Sequence, residues 1–138
     1  MTDPVIVGSE IKIIWTATSI PKTLTRLCSG AGTYDALWYD GTAYVVPAGK
    51  KFICTSITTA VCQPFSGEVR LYKHTVADAA GGTRLANLAG TYGTGDAVNT
   101  TGLTMPFYYE VEATMYLNGY MGGAGENLIS VTGVEVDA

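Results

Sequence analysis

The chain is built from short segments in which apolar and polar residues alternate, and clusters of glycine, proline and other turn residues separate these segments. A period of two is the pattern of a β-strand with one face buried and the other in water. No segment shows the apolar repeat of an amphipathic helix. The pattern predicts an all-β protein, an antiparallel jelly roll or β-sandwich of about eight strands.

The composition agrees with this fold class. Only 14% of the 138 residues are charged and 17 are glycine, which favours strands and turns over helices. The length fits one domain with a core of its own. We expect residues 11–138 to form that domain. Residues 1–10 are either an N-terminal arm that docks on a neighbour or the first strand, and the sequence leaves both open.

Two tight turns have clear local signals. Asp40-Gly41 lies between aromatic and β-branched residues, which predicts a two-residue hairpin turn with positive φ at both positions. A second turn follows the apolar run through Val46. Pro47 is expected at its first central position, because the ring presets φ, and Gly49 at its end.

A strand over residues 51–61 follows the second turn. Strict alternation places Ile53, Thr55 and Ile57 on one face of this strand, with Phe52 and Cys54 on the other. The pattern alone does not say which face is buried.

The most regular alternation runs from residue 107 to residue 117 and predicts one long strand. Its polar face carries Tyr108, Glu110, Glu112 and Tyr116, which we interpret as a candidate interface, because tyrosine is frequent in protein contacts. Ordinary sheet packing is the competing interpretation. Two further candidates, Tyr92 and Tyr120, fall in predicted loops at 78–102 and 118–125.

Residues suited to catalysis are few. The single histidine, His74, ends a predicted strand, and Cys28, Cys54 and Cys62 lack the paired spacing of a zinc site. Glu110 and Glu112 resemble a glycosidase pair only superficially, and a solvated or partner-facing patch is the commoner arrangement. We expect no enzymatic activity, no metal and no cofactor.

The charge pattern bears on partners and location. The net charge is −4 and the longest basic run is Lys50-Lys51, so we expect no nucleic-acid partner. No stretch of 18 apolar residues predicts a membrane span, and residues 1–15 lack the pattern of a signal peptide. Three cysteines, an odd number, favour folding in a reducing cytoplasm.

A family resemblance is carried by YVVPAGKKFICTSITTAV at residues 44–61, followed by GEVRLYKH at 67–74. An aromatic strand, a V-P-A-G-K corner, an F-I-x-T-S-I strand and a V-x-L-Y strand follow one another. In this the chain resembles small jelly-roll virion proteins of tailed bacteriophages, which include capsid decoration (cement) proteins, head fibres and tail appendages. The resemblance covers about thirty residues, and the rest agrees in composition only.

The resemblance implies a jelly roll that assembles as a homotrimer and bridges copies of the major capsid protein on the surface of a phage head. It transfers no catalytic residue. The expected location is the virion, after assembly in the host cytoplasm. The alternative is a host-recognition or carbohydrate-binding module of a fibre or tail that uses the loops 78–102 and 118–125. The three cysteines are a departure that the family pattern does not require.

Overall fold

The computed structural model describes residues 19–61, 68–88, 102–123 and 125–138. These residues form strands, turns and bends, and none of them lies in a helix. The described ranges therefore contain no helix of the length and apolarity needed to cross a membrane. The predicted N-terminal arm or first strand at residues 1–10 lies outside the described residues, as do Tyr92 and Cys62.

Ten strands form two antiparallel sheets within the described ranges. The six-stranded sheet has the order β4-β3-β1-β10-β5-β8, with bounds β1 Ile20–Ser29, β3 Trp38–Tyr39, β4 Thr42–Ala43, β5 Lys50–Val61, β8 Gly102–Val111 and β10 Glu126–Asp137. The four-stranded sheet has the order β2-β9-β6-β7, with bounds β2 Thr33–Ala36, β6 Val69–His74, β7 Thr83–Leu88 and β9 Tyr116–Met121. The prediction of an all-β, antiparallel protein is confirmed.

Strand pairing is nested when the short β3–β4 hairpin is set aside. The first long strand pairs with the last, β1 with β10, and β2 pairs with β9. Further inward along the chain β5 pairs with β8, and β6 pairs with β7. Most of these contacts therefore join residues far apart in sequence, so the fold depends on non-local packing.

The core consists of apolar side chains from both sheets. Leu24, Ile129 and Phe52 from the six-stranded sheet join one cluster with Leu71 and Leu117 from the four-stranded sheet. Each of these side chains is at most 2% exposed. At about 25 cal/mol per Å² of apolar surface, burial of such side chains is the main stabilising contribution.

Strict alternation along β5 was wrong, because the strand contains an irregularity at Thr55. Gly133 of β10 pairs with Cys54, and Thr132 pairs with Ser56, so Thr55 is an extra residue. Its hydroxyl donates to the carbonyl of Thr132 at 3.0 Å. One extra residue reverses the faces, so both Cys54 and Ile57 point into the core.

The prediction of one strand over residues 107–117 was also wrong. β8 ends at Val111, β9 begins at Tyr116, and the two strands belong to different sheets. Thr114 between them has φ 68°, a left-handed conformation that no extended strand contains. Its amide donates to the carbonyl of Val46 at 2.7 Å. Apolar and polar residues continue to alternate in the sequence through this turn, but the chain passes there from the six-stranded sheet to the four-stranded sheet.

The predicted glycine-rich loop at 118–125 begins later than expected, because residues 118–121 belong to β9. Gly119 lies in the interior, where an added Cβ would stand 2.7 Å from Cδ1 of Ile129 and 3.2 Å from Sγ of Cys28. This glycine therefore allows the two sheets to approach closely, and it is not a loop signal.

The two predicted turns differ in outcome. Asp40 and Gly41 have φ values of 52° and 80° and join β3 to β4 across the Tyr39–Thr42 pair. In the second turn the amide of Lys50 donates to the carbonyl of Pro47 at 3.1 Å. Pro47 is therefore the first residue of the turn and not a central one. Gly49 is the second central residue, where its φ of 75° is required.

Candidate interaction surfaces

The predicted interface residues separate onto the two sheets. Tyr108 and Glu110 lie on the outer face of β8, and Tyr108, at 72%, is the most exposed of the large hydrophobic side chains described. Glu112 follows the end of β8. Tyr116 and Tyr120 lie on β9 of the other sheet. The structure therefore brings Tyr108, Glu110 and Glu112 near one another and does not join them to the β9 tyrosines.

The two glutamates are each paired with a lysine of the same chain. Glu110 lies 3.0 Å from Nζ of Lys51, and Glu112 accepts two hydrogen bonds of 2.6 and 2.8 Å from Lys73. The hydrogen bond from Lys73 lowers the pKa of Glu112, and the same bond raises the pKa of Lys73. As exposed pairs they contribute little to stability.

These ion pairs border a surface cleft of about 400 Å³. The side chains of Lys50, Lys51, Glu110 and Glu112 line it together with Ala113 and Ala138. Lys50 also hydrogen-bonds to Asp137. The charges of the cleft are thus neutralised within the chain, which makes it an ion-pair network at one end of the six-stranded sheet.

Tyr120 belongs to an aromatic cluster on the outer face of the four-stranded sheet. Its ring centroid lies 4.8 Å from that of Tyr34 and 6.3 Å from that of Tyr72, and the guanidinium of Arg70 lies 5.2 Å away. Arg70 is held by Glu68 and donates to the hydroxyl of Tyr72 at 3.3 Å. Burial raises the pKa of Tyr34. The aromatic rings and the Arg70 guanidinium of this cluster thus contact one another within the chain.

Exposed aromatic side chains on the β3–β4 hairpin were not predicted as interface candidates. Trp38 is 40% exposed, with the guanidinium of Arg26 lying 3.9 Å from its ring centroid. Tyr39 is 37% exposed, and Nζ of Lys22 lies 4.6 Å from its ring centroid. In the sequence, the signal for this surface was the pair of adjacent aromatic residues, Trp38 and Tyr39, beside the predicted hairpin turn. The pair was used only to predict the turn.

The loop at 75–82 folds back over the outer face of the four-stranded sheet. The side-chain amide of Asn118 donates to the carbonyls of Val76 and Ala79, at 3.1 and 3.3 Å. Oδ1 of Asp78 accepts the amide of Ala36 at 2.7 Å. His74 accepts the amide of Val76 through Nδ1, at 2.8 Å, so His74 supports the loop. These hydrogen bonds hold the loop against the outer face of the four-stranded sheet.

Two of the three cysteines can be placed. Cys28 and Cys54 are free and buried, and burial raises the pKa of each thiol to about 12. A thiol with so high a pKa is protonated at neutral pH and is a poor nucleophile. The described ranges contain no group of three His, Cys, Asp or Glu side chains arranged to hold a metal ion.

Lysine and arginine side chains are engaged by carboxylates over most of the described surface. Six ion pairs account for Lys22, Arg26, Lys50, Lys51, Arg70 and Lys73, with the partners Glu135, Asp35, Asp137, Glu110, Glu68 and Glu112 respectively. These cations are therefore neutralised within the chain.

The outer face of the six-stranded sheet is covered by hydroxyl groups. Cα pairing places Thr25, Ser130, Thr58 and Thr104 in one row across four strands, and Thr23, Thr132 and Ser56 in the next. Hydroxyls of neighbouring strands approach each other in three places: Thr25–Ser130 at 2.8 Å, Thr58–Thr104 at 2.9 Å and Thr23–Thr132 at 3.4 Å. We call these seven residues the hydroxyl face.

Apolar side chains border the hydroxyl face. Leu27 pairs with Leu128 beyond one row, and Val134 pairs with Ile53 beyond the other. Leu27 is 46% exposed. Among the described residues, the charged side chains on this side of the sheet lie farther out, at Glu126 and at the Lys51–Glu110 ion pair. Among the described residues, the centre of the six-stranded sheet therefore carries no charged side chain and is not covered by another element.

Comparison with protein-family models, with curated proteins and with solved structures finds no match to this chain.

Proposed function

We propose that this chain is a virion structural protein, a capsid decoration (cement) protein that stabilises a phage head by bridging subunits of the major capsid protein. The observation that carries the proposal is the outer face of the six-stranded sheet, whose centre has no charged side chain among the described residues and which supports the self-assembly that a bridging trimer needs. Charged residues are depleted at the cores of protein–protein interfaces.

The finer fold assignment belongs to the same proposal. We propose a jelly roll of eight main strands, with β3 and β4 as an inserted hairpin. The first and last of the described main strands pair with each other, and the nested pairing in two four-stranded layers, β1-β10-β5-β8 and β2-β9-β6-β7, supports it. Double-sheet jelly rolls are frequent among viral capsid proteins and lectins. The resemblance at residues 44–61 points to the same class.

The proposed mechanism requires no chemical step, and the protein is proposed not to be an enzyme. A protein that binds an assembled shell, and not its free subunits, stabilises the shell by mass action. Assembly as a homotrimer would present three copies of each contact, so weak individual contacts would add up through high effective concentration. The proposed location is the capsid surface, after assembly in the host cytoplasm.

Co-sedimentation with phage shells tests this proposal. Purified protein is mixed with expanded shells of the phage whose genome encodes it, and separately with the free capsid protein. We expect saturable binding to shells, a higher temperature of shell disruption, and no binding to free subunits. Failure to bind shells at micromolar protein would overturn the proposal.

A second candidate function is recognition of a host carbohydrate by a fibre or tail module. Trp38 and Tyr39 favour it, because both aromatic rings are exposed on a hairpin and backed by Arg26 and Lys22. Such rings can stack on a sugar. A glycan array would show specific binding that Trp38→Ala abolishes and that Val76→Ala, a change at an exposed loop residue, leaves intact. Absence of any glycan signal would reject this candidate.

A further inference from the structure

The hydroxyl face has a composition suited to contact with itself. In a symmetric homo-oligomer, residues close to the rotation axis meet the same residues of another copy. Two like charges would then face each other and repel, whereas a hydroxyl both donates and accepts a hydrogen bond and can pair with another hydroxyl. All seven residues of the face are threonine or serine, and each is exposed or half-exposed.

The net charge strengthens this argument. Two copies of a chain with a charge of −4 repel each other at a distance. The centre of the six-stranded sheet is a surface where they can approach without placing carboxylates together, because Glu126 and Glu110 lie at its margins and Glu110 is paired with Lys51.

The size of the face is adequate for a contact between copies. Strands β1, β10, β5 and β8 have ten to twelve residues each, which corresponds to roughly 600 Å² of flat sheet at ordinary strand spacings. A standard stable interface buries about 800 Å² per partner. The four-stranded layer therefore offers roughly three quarters of that area, and the hydroxyl face with its apolar border makes up the larger part of the layer.

The sheet edge nearest this face is unsuited to the other common mode of association. β8 is the last strand of the described sheet order, and Pro106 lies in its middle, paired with Ser56. Proline has no amide hydrogen to donate, so a strand from a second copy could not continue the ladder past this residue. Association across the face is therefore favoured over strand addition at this edge.

We infer that copies of this chain associate through the hydroxyl face of the six-stranded sheet. This inference names the surface through which the proposed self-association occurs, and it rests on that part of the proposed function. It does not require the shell. The occupant of the face is a second copy of the chain, and the capsid protein remains the partner of another surface.

The experiment places a charge on the face and measures assembly by sedimentation equilibrium. Thr25→Lys places a charge on β1 at one end of a row of the face, and Thr104→Lys places the same charge on β8 at the other end of that row. Thr83→Lys is the matched control, since Thr83 is exposed on β7 of the other sheet. We expect both face variants to weaken self-association about a hundredfold or more, because like charges would be juxtaposed. The control should assemble as the wild type does.

Three outcomes would overturn the inference: a wild-type protein that stays monomeric at high micromolar concentration, unchanged assembly of both face variants, or face variants that lose shell binding while they still assemble. Circular dichroism verifies the fold of each variant, and the wild-type measurement decides if neither variant folds. Shell binding is scored separately, so a monomer that binds shells rejects only this inference. If the protein forms an oligomer that does not bind shells, only the shell-binding proposal is rejected.

Discussion

The hydroxyl of Tyr44 donates a hydrogen bond of 2.7 Å to Oε2 of Glu135, and both residues are buried. Nζ of Lys22 lies 2.8 Å from the same oxygen. Burial by itself would raise the pKa of Glu135, but the hydrogen bonds from Lys22 and Tyr44 outweigh burial and lower it. Two donors therefore hold an ionised carboxylate on the inner side of the six-stranded sheet.

Tyr44→Phe removes one of these donors and keeps the ring. We expect the free energy of unfolding to fall by about 1.5–3 kcal/mol, the usual contribution of a hydrogen bond to a charged group. Denaturant unfolding measures it. Tyr39→Phe is the control, because within the described residues its hydroxyl has no hydrogen-bond partner, and its effect should stay below about 0.5 kcal/mol. Equal effects of the two changes would contradict the assignment.

The lowered pKa of Glu135 predicts a pH dependence of stability. A carboxyl group with a folded-state pKa below its ordinary value of about 4.5 stabilises the protein fully above that value. This contribution is lost as the pH falls through the folded-state pKa. We expect the free energy of unfolding to decrease below pH 4.5, and Glu135→Gln to make that decrease shallower. Equal slopes for the wild type and Glu135→Gln would contradict this assignment.

The loop over the four-stranded sheet depends on Asp78. This residue has φ 55°, and its Oδ1 accepts the amide of Ala36. Asp78→Asn keeps an accepting oxygen and tolerates positive φ, whereas Asp78→Ala keeps neither advantage. Hydrogen exchange at the Ala36 amide should therefore be slow in wild type and Asp78→Asn, and clearly faster in Asp78→Ala. Equal exchange in all three proteins would show that the loop is not held by this bond.

Two interior glycines should differ in their tolerance of a methyl group. A Cβ at Gly133 would stand 2.6 Å from Cζ of Phe52 and even closer to the carbonyl oxygen of Ile53, which cannot move without breaking the sheet. At Gly119 the nearest atom is the end of the flexible Ile129 side chain. We expect Gly133→Ala to lower the free energy of unfolding by about 3 kcal/mol or more, and Gly119→Ala by about 1–2 kcal/mol. The reverse order would contradict the described packing.

Local chemistry was sufficient to predict most strands and the Asp40-Gly41 hairpin. Alternation also predicted strands over residues 22–28, 68–73 and 127–136, and β1, β6 and β10 agree with these ranges to within two residues at each end. β2 was missed, since its four residues carry little alternation. A bulge at Thr55 and a change of sheet at Thr114 were beyond local reasoning, because both depend on the partner strand or on a single positive φ.

The candidate sites depended even more on tertiary structure. Tyr108 was found from sequence, because it is an aromatic residue on the polar side of a regular strand. The hydroxyl face was not found, since its threonines and serines come from four strands separated by up to about a hundred residues. Each strand alone shows only an ordinary polar face. Pairing in the sheet turns these separate polar faces into one uncharged surface.

The mass of the particle in solution measures directly whether this chain assembles with copies of itself. Light scattering on the wild-type protein at micromolar concentration, after size-exclusion chromatography, gives that mass without a shell or a ligand. We expect three times the 14.5 kDa of a single chain, the mass of the proposed homotrimer. A mass of 14.5 kDa that persists at every concentration would contradict it.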